Sequence, residues 1–436
     1  MSLLSRILDL ALMPERDLPA EARVSARFSL FDWMVCGRAG VAEPLAVILR
    51  RMVEAEGGRA LATVIGGGAV PARAAALVNG ATSHALDYDD THFAHVGHPS
   101  VAICPAALAA GEEMDAGAAA VADAFLVGAE VSVRVGLALG AVHYNRGFHQ
   151  TATAGAFGAT VAAGRIYGLT QEQMRVAIGL CATRASGLKS QFGTMGKPYN
   201  AGIAAANGVE CAALARAGFT SADDGLEGAQ GFIPTHSDAP NGAAVWDAAG
   251  DRFLFRDVKY KLHACCHGTH AMIEALSVCA GDVALAEVAE VRLRTSPRWL
   301  SVCDIKAPRT GLEVKFSYAW LAGMVMSGIS TASDRIYTDA LARDARLADF
   351  AARVVVTGDL SVGDMQARGE VVLTDGRVLP FFHDLDAPIA DAMLAESLRQ
   401  KARGLLGDEA ERLWHLVDGL YMHSARDLGR ALRGGA

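Results

Sequence analysis

Residues 79–100 read NGATSHALDYDDTHFAHVGHPS, and the reading of the whole chain turns on this stretch. It holds His84, His92, His95 and His98 together with Asp87, Asp89 and Asp90. Polar groups this dense cannot enter an apolar core unpaired, because a buried charge without a partner is costly or shifts its pKa until it is neutral. The stretch is flanked by Ala-rich runs at 71–87 and 101–113 with apolar residues at three- and four-residue spacing, the signature of packed helices. Its polar residues are therefore either solvated or functional, and the working centre of the chain is expected here.

Working outward, the same helical spacing recurs at 19–38, 43–56, 117–140, 151–166, 170–187 and 200–217. Thr170 followed by Glu172 and Gln173 reads as a capped helix start, and Gly218 stands where a helix would close. The frequent Ala and Gly suit helices that approach closely. Beyond residue 268 the pattern changes. Short β-like runs appear at 288–295, 353–357 and 368–373, and Thr374-Asp375-Gly376 reads as a hairpin turn leading into 377–381. Helical patterns lie between them at 313–327 and 338–352, and the pattern is helical again from about 389. The expected architecture is mainly α: a large all-helical domain from 1–267 and 389–436, with a smaller α+β lid domain inserted at 268–388.

With 436 residues, 52% of them hydrophobic and 20% charged, the composition is globular, and no uninterrupted apolar run reaches the ~20 residues that span a bilayer. The N-terminal stripe is broken by acidic residues and shows no cleavage signal, so a cytoplasmic protein is expected. The eight cysteines form no CxxC pair and sit in apolar helical patterns, which predicts reduced thiols. A net charge of −8 argues against nucleic acid as a partner but allows a local cationic pocket for a small anion.

Nine of the 13 histidines fall in three groups: the four above, His143 with His149, and His263 with His267 and His270. Such clustering predicts convergence on one cleft. Of the three aspartates, Asp87, four residues before Thr91, is the one expected to point inward. His98-Pro99-Ser100 and His149-Gln150-Thr151 each precede a helix, with Ser100 a candidate N-cap, so both imidazoles would stand where a helix dipole favours anions. Tyr144 is a candidate proton donor. Lys189 and Lys197 flank SQFGTMG, and Lys259 and Lys261 precede Cys265-Cys266-His267, an arrangement suited to an anionic ligand. His92, His95 and His98 at three-residue spacing raise the possibility of a metal, but there is no HExxH and the surrounding Pro and Gly break any common helix face, so no metal is expected. Gly66-Gly67-Gly68 lacks the rest of a phosphate loop, and no GxSxG marks a serine nucleophile.

Taken together, the 79–100 stretch, GFHQT at 147–151, GTMGKPYNAGIAAANG at 193–208 and PRTGLEVKFS at 308–317 resemble the MmgE/PrpD family. The resemblance implies a helical domain with an α+β lid, a homodimer, and no metal or organic cofactor. The substrate implied is a small di- or tricarboxylic acid, altered by proton transfer beside a carboxylate. It also implies that Asp87, Thr91, His98, His149, Lys197 and Lys261 line the active-site cleft. In the resulting expectation His98, oriented by Asp87, moves the proton with His149 and Tyr144 as further catalytic groups, while Thr91, Lys197, Lys261, Cys266 and His267 bind substrate. A hydro-lyase of the 2-methylcitrate dehydratase type is the first expectation. A cis-aconitate-type decarboxylase and an iminodisuccinate-type epimerase are the alternatives within the family, and a His/Asp metalloenzyme or a non-catalytic helical binding protein those outside it.

Overall fold

The computed structural model describes residues 2–281 and 283–434 and divides the chain into two compact units, residues 1–260 with 406–436 and residues 261–405. The first unit holds α1 (Leu3–Ala11), α2 (Ala20–Ala39), α3 (Pro44–Glu56), a short antiparallel hairpin β1 (Ala62–Thr63) and β2 (Ala69–Val70), α4 (Ala72–Ser83), α5 (Ser100–Met114), α6 (Ala118–Arg146), α7 (Gln150–Ile166), α8 (Gln171–Arg184), α9 (Gly196–Arg216) and α10 (Phe232–His236). Two helices near the C-terminus, α17 (Glu409–Asp418) and α18 (Ala425–Arg433), return to it. Mainly α with a small α+β part is thus the architecture of the chain.

α7 sits at the centre, against α5, α6, α8 and α9, and every residue from Gln150 to Gly164 is buried. Its sequence, QTATAGAFGATVAAGRI, has small residues all round because a helix surrounded by helices has no solvent face. The smallness is a steric requirement: a Cβ built on Gly128 of α6 would lie 2.5 Å from the Gly158 carbonyl of α7, and one on Gly80 of α4 2.9 Å from the Gly202 Cα of α9. α6 is long and apolar enough to cross a membrane by length and composition, yet 83% of its most apolar window is buried within the fold, as a core helix requires.

The helix ends follow the sequence closely. Thr170 and Gln173 form a reciprocal capping box, and Gly218 closes α9 with φ +91°, a conformation that L side chains resist. Gly66–Gly68 is the turn of the β1–β2 hairpin, with Val64 N–H donating to the Gly68 carbonyl and Gly66 N–H to that of Leu432. The glycines serve a turn, which agrees with the absence of the remaining phosphate-loop residues. α4 ends at Ser83 rather than at 87, and α8 at Arg184 rather than at 187.

The second unit contains α11 (His270–Ala280), β3 (Val288–Thr295), α12 (Pro297–Cys303), α13 (Gly311–Val314), α14 (Tyr318–Met326), α15 (Ala345–Ala351), β4 (Val354–Gly358), β5 (Gln366–Leu373), β6 (Val378–Asp384) and nearly all of α16 (Asp391–Leu406). The sheet order is β4-β3-β5-β6, with β3 parallel to β4 and antiparallel to β5. The expected hairpin joins β5 to β6 with Gly376 at φ +87°. The 313–327 pattern is split, because the Ser317 hydroxyl accepts from Trp320 N–H and starts α14 afresh. Of 338–352 only 345–351 is α-helix.

The unit boundaries differ from those expected at 267 and 389. Residues 261–267 belong to the second unit, as do residues up to 405, because Ser397, Gln400 and Lys401 of α16 line one groove with Ile273, Glu274 and Ser277 of α11. Periodicity identifies a helix but not the partner its apolar stripe meets. Only α17 and α18 pack back, α17 placing Trp414 against Phe28 and Phe31 of α2.

Candidate active site

The polar stretch leaves α4 at Ser83 and returns at Ser100, the first residue of α5. Three consecutive residues give it its form. Asp89 faces a pair of imidazoles, Asp90 faces hydroxyls on the opposite side, and Thr91 makes a two-way backbone bridge with Lys259 at 2.8 and 2.7 Å.

Asp89 is fully buried. His84 Nδ1 lies 2.8 Å from its Oδ1 and His98 Nδ1 2.8 Å from its Oδ2. Burial alone would raise its pKa, but the two imidazoles outweigh that and hold the carboxyl well below the usual range. The His84 and His98 rings are 4.6 Å apart, and His149 stacks beyond His84 at 6.1 Å. His149 is the N-cap residue of α7, with Nδ1 3.3 Å from the Asn200 amide nitrogen of α9 and the Phe192 ring edge-on at 4.9 Å. Lys197, at the start of α9, puts Nζ 2.6 Å from Asp87 Oδ1, and the same oxygen is 3.5 Å from His98 Nε2.

Burial lowers the pKa of His98 despite the opposing pull of Asp89, and burial, helped by His84 and Lys197, lowers that of His149 well below 6.5. Both rings are therefore neutral at pH 7. With Asp89 at Nδ1, the His98 proton belongs on that nitrogen and the lone pair on Nε2, toward Asp87 and Lys197. A neutral imidazole held in one tautomer by a buried carboxylate, beside an ammonium, can exchange a proton with a bound acid while the ammonium neutralises its charge.

Of the residues chosen from sequence, the first unit brings His98, Asp87, His149 and Lys197 together. One assignment changes: the acid gripping His98 Nδ1 is Asp89, whereas the Asp87 side chain is about half exposed, at 49%, and pairs with Lys197. The chain turns through a positive φ of 51° at Asp87, and its carboxylate lies on the Nε2 side of the His98 ring, at 3.5 Å, while Asp89 takes the Nδ1 side. Thr91 contributes mainly backbone pairing, its hydroxyl lying 3.4 Å from the Lys259 carbonyl. Tyr144 lies in the last turn of α6 with its ring centroid 3.6 Å from Lys189 Nζ, a cation–π contact. Ser100 does not cap α5; its hydroxyl donates to Asp90. Lys261, Cys266 and His267 belong to the second unit, where Lys261 is buried, Cys266 N–H donates to the Lys315 carbonyl and His267 stacks on His270 at 4.7 Å.

Asn200 and Phe192 are not among the residues expected from the sequence, and Asp89 and His84 are in the expected cluster but without a role of their own. Asn200 carried a signal, since it lies one helical turn after Lys197. His92 and His95 turn away from the site. His92 Nε2 pairs with the Leu254 carbonyl, and His95 is fully buried with no hydrogen-bond partner at either ring nitrogen, in a pocket where Gly136 leaves no room for a Cβ. Burial pushes the His95 pKa down to about 3. The unfolded chain, with an ordinary value near 6.5, binds this proton between about pH 6.5 and 3, so stability is full above that window and falls as pH drops through it. His95→Leu is expected to reduce the proton uptake on unfolding at pH 5 by about one, measured by comparing denaturant unfolding at neighbouring pH values. An unchanged uptake would refute the burial argument.

His84, Asp87, Asp89 and His98 could each offer an atom within 4.8 Å of the others, as a metal site would. Both Asp89 oxygens face imidazole Nδ1 atoms and Asp87 faces the Lys197 ammonium, whereas His84 Nε2 has no hydrogen-bond partner. A divalent cation bound through Asp87 would have to compete with that ammonium.

Residues 11–243 match the MmgE/PrpD N-terminal domain and residues 263–418 the MmgE/PrpD C-terminal domain. Cis-aconitate decarboxylase-like protein oryM of Aspergillus oryzae is 31% identical over 277 residues, 60% of this chain and 58% of that protein. Cis-aconitate decarboxylase of Aspergillus terreus is 29% identical over 280 residues, 61% and 57% of the two chains. The human cis-aconitate decarboxylase is 32% identical over 168 residues, 37% and 35%. The chain thus matches somewhat over half the length of the fungal relatives.

Proposed function

From the premise that this chain belongs to the MmgE/PrpD family, we propose that it is a cofactor-independent lyase that decarboxylates a small tricarboxylic acid of the cis-aconitate type. The 2-methylcitrate dehydratase expected first from sequence moves to second place, because the relatives named above are cis-aconitate decarboxylases or resemble them. The observation carrying the reading is His98, held at Nδ1 by buried Asp89, with Nε2 3.5 Å from the Asp87 oxygen that Lys197 pairs with.

In the reaction, a C–C bond to one carboxylate breaks and CO2 leaves. The electron pair passes into the neighbouring double bond, and carbon takes a proton from the His98 imidazolium. Lys197 offsets the charge of a remaining carboxylate, and His149 and Asn200 bound the chamber. Each turnover consumes one proton. A polyanion bound beside His98 raises the imidazole pKa and so helps load that proton.

Purified protein given cis-aconitate in D2O is expected to release CO2 and to place one deuterium in the product. Because the His98 pKa lies below its ordinary value and the acid form is needed, kcat/KM should increase as pH falls from 8 towards 6. Dehydration of 2-methylcitrate instead requires the neutral base and would give the opposite slope. Turnover of 2-methylcitrate or iminodisuccinate in preference to cis-aconitate rejects the decarboxylase, and no turnover of any by folded protein rejects the reading. A cytoplasmic homodimer is the setting that goes with this proposal, and light scattering tests the dimer.

A further inference from the structure

The acid beside the imidazole clamp has its own set of contacts. Asp90 is fully buried, with Oδ2 accepting from the Ser100 hydroxyl at 2.5 Å and the Ser29 hydroxyl at 2.9 Å, and Oδ1 3.3 Å from Ser100 N–H. Ser29, on α2, also shares a 2.9 Å hydrogen bond with the Tyr260 hydroxyl, which lies 3.3 Å from the Ser25 carbonyl. One carboxylate thus joins α2, the first turn of α5 and the chain at residue 260. Its spacing is informative. Asp89 reaches nine residues along the loop to His98, and Asp90 reaches ten to Ser100, so adjacent acids brace adjacent points on the far side of the same loop.

We propose that Asp90 is a positioning residue for His98: by holding Ser100 and Ser29 it fixes where the loop re-enters α5, and hence the place of the imidazole two residues earlier. This inference rests on the catalytic role given to His98 above. On its N-terminal side the His98 backbone is tied by its N–H donating to Thr151 Oγ1 at 3.0 Å and by the His92–Gly97 bridge one residue earlier, and on its C-terminal side the Asp90 brace keeps the ring from drifting from Asp89. Burial, opposed by the two serine hydroxyls and reinforced by Asp32 and Asp89, pushes the Asp90 carboxyl up to about 7. A neutral amide of the same shape is therefore a fair replacement for it.

The test compares Asp90→Ala, Asp90→Asn and Ser100→Ala in the full chain. Per folded molecule, Asp90→Ala should lose kcat on the order of 10²-fold, the scale of a small misplacement of a reacting group, with KM little changed. Asp90→Asn should recover most of that loss, and Ser100→Ala, which removes one tether, should fall between them. Histidine-labelled NMR gives a readout independent of turnover: the proton shared by His98 Nδ1 and Asp89 should be retained in wild type and Asp90→Asn and lost in Asp90→Ala. If wild type turns over none of the acids, the functional reading has failed, and this signal alone decides the positioning role. A folded Asp90→Ala with wild-type kcat, or with the shared-proton signal unchanged, overturns the proposal. Should Asp90→Ala not fold, wild-type kcat and signal in Ser100→Ala overturn it.

Discussion

Replacing His98 by alanine is expected to cut turnover of cis-aconitate by roughly 10²–10⁴-fold, the usual contribution of a positioned acid or base. Stability should fall by only ~1–2 kcal/mol, because Asp89 loses one of its partners but keeps His84. Steady-state rates and denaturant unfolding of the same preparation separate the two effects. Substitution of the neighbouring acids distinguishes their parts. Asp89→Asn alters the group that sets the His98 tautomer from a fully buried position, whereas Asp87→Asn alters a half-exposed partner of Lys197. The first should therefore cost more in kcat and the second more in KM. A wild-type rate in His98→Ala would remove the imidazole from the chemistry, and equal losses in the two aspartate variants would undo the assignment of Asp89.

The largest effect on stability is expected at Arg134. Its side chain and that of Glu130 are both fully buried on α6, with Arg134 Nε donating to Glu130 Oε1 at 2.6 Å. The guanidinium also donates to the Val245 carbonyl at 2.6 Å and the Arg252 carbonyl at 2.7 Å, while Glu130 Oε2 accepts from Phe255 N–H at 2.8 Å. The pair thereby ties α6 to the irregular chain from 245 to 255, whose own backbone bonds close only short turns. Arg134→Met leaves Glu130 buried without its counter-charge and frees those carbonyls, a loss of ~3–5 kcal/mol, a large part of the ~5–15 kcal/mol by which a domain is stable. Adding Glu130→Gln should restore part of the loss. A double variant no better than the single would show that the carbonyl contacts, and not the stranded charge, carry the cost. Urea midpoints for the three proteins decide this.

Helix placement was legible in the sequence because the cause is local. Apolar spacing, the Thr170–Gln173 box, Gly218 and the Asp375-Gly376 turn act within a few residues, and the elements appear where those signals stand. The candidate site was legible too, since a histidine- and aspartate-rich loop between buried helices has no cheap structural explanation. The partners within it were not. Neighbouring residues in an extended loop face opposite ways, so Asp87, Asp89 and Asp90 look equivalent in one dimension while one is paired with Lys197, one sits between imidazoles and one holds serine hydroxyls. His95 and His98 look equivalent as well, yet the first fills a hole left by Gly136 and the second stands beside Asp89.

What the sequence determined by itself is therefore the set of helices and strands and the stretch in which proton chemistry could reside, because propensity, capping and hydrophobic period are short-range properties. Which carboxylate meets which imidazole, that Asn200 stands beside His149, and that α16 belongs with the sheet were decided only by tertiary structure. Those pairings join residues far apart in the chain, and their energies depend on burial and distance, which no local pattern encodes.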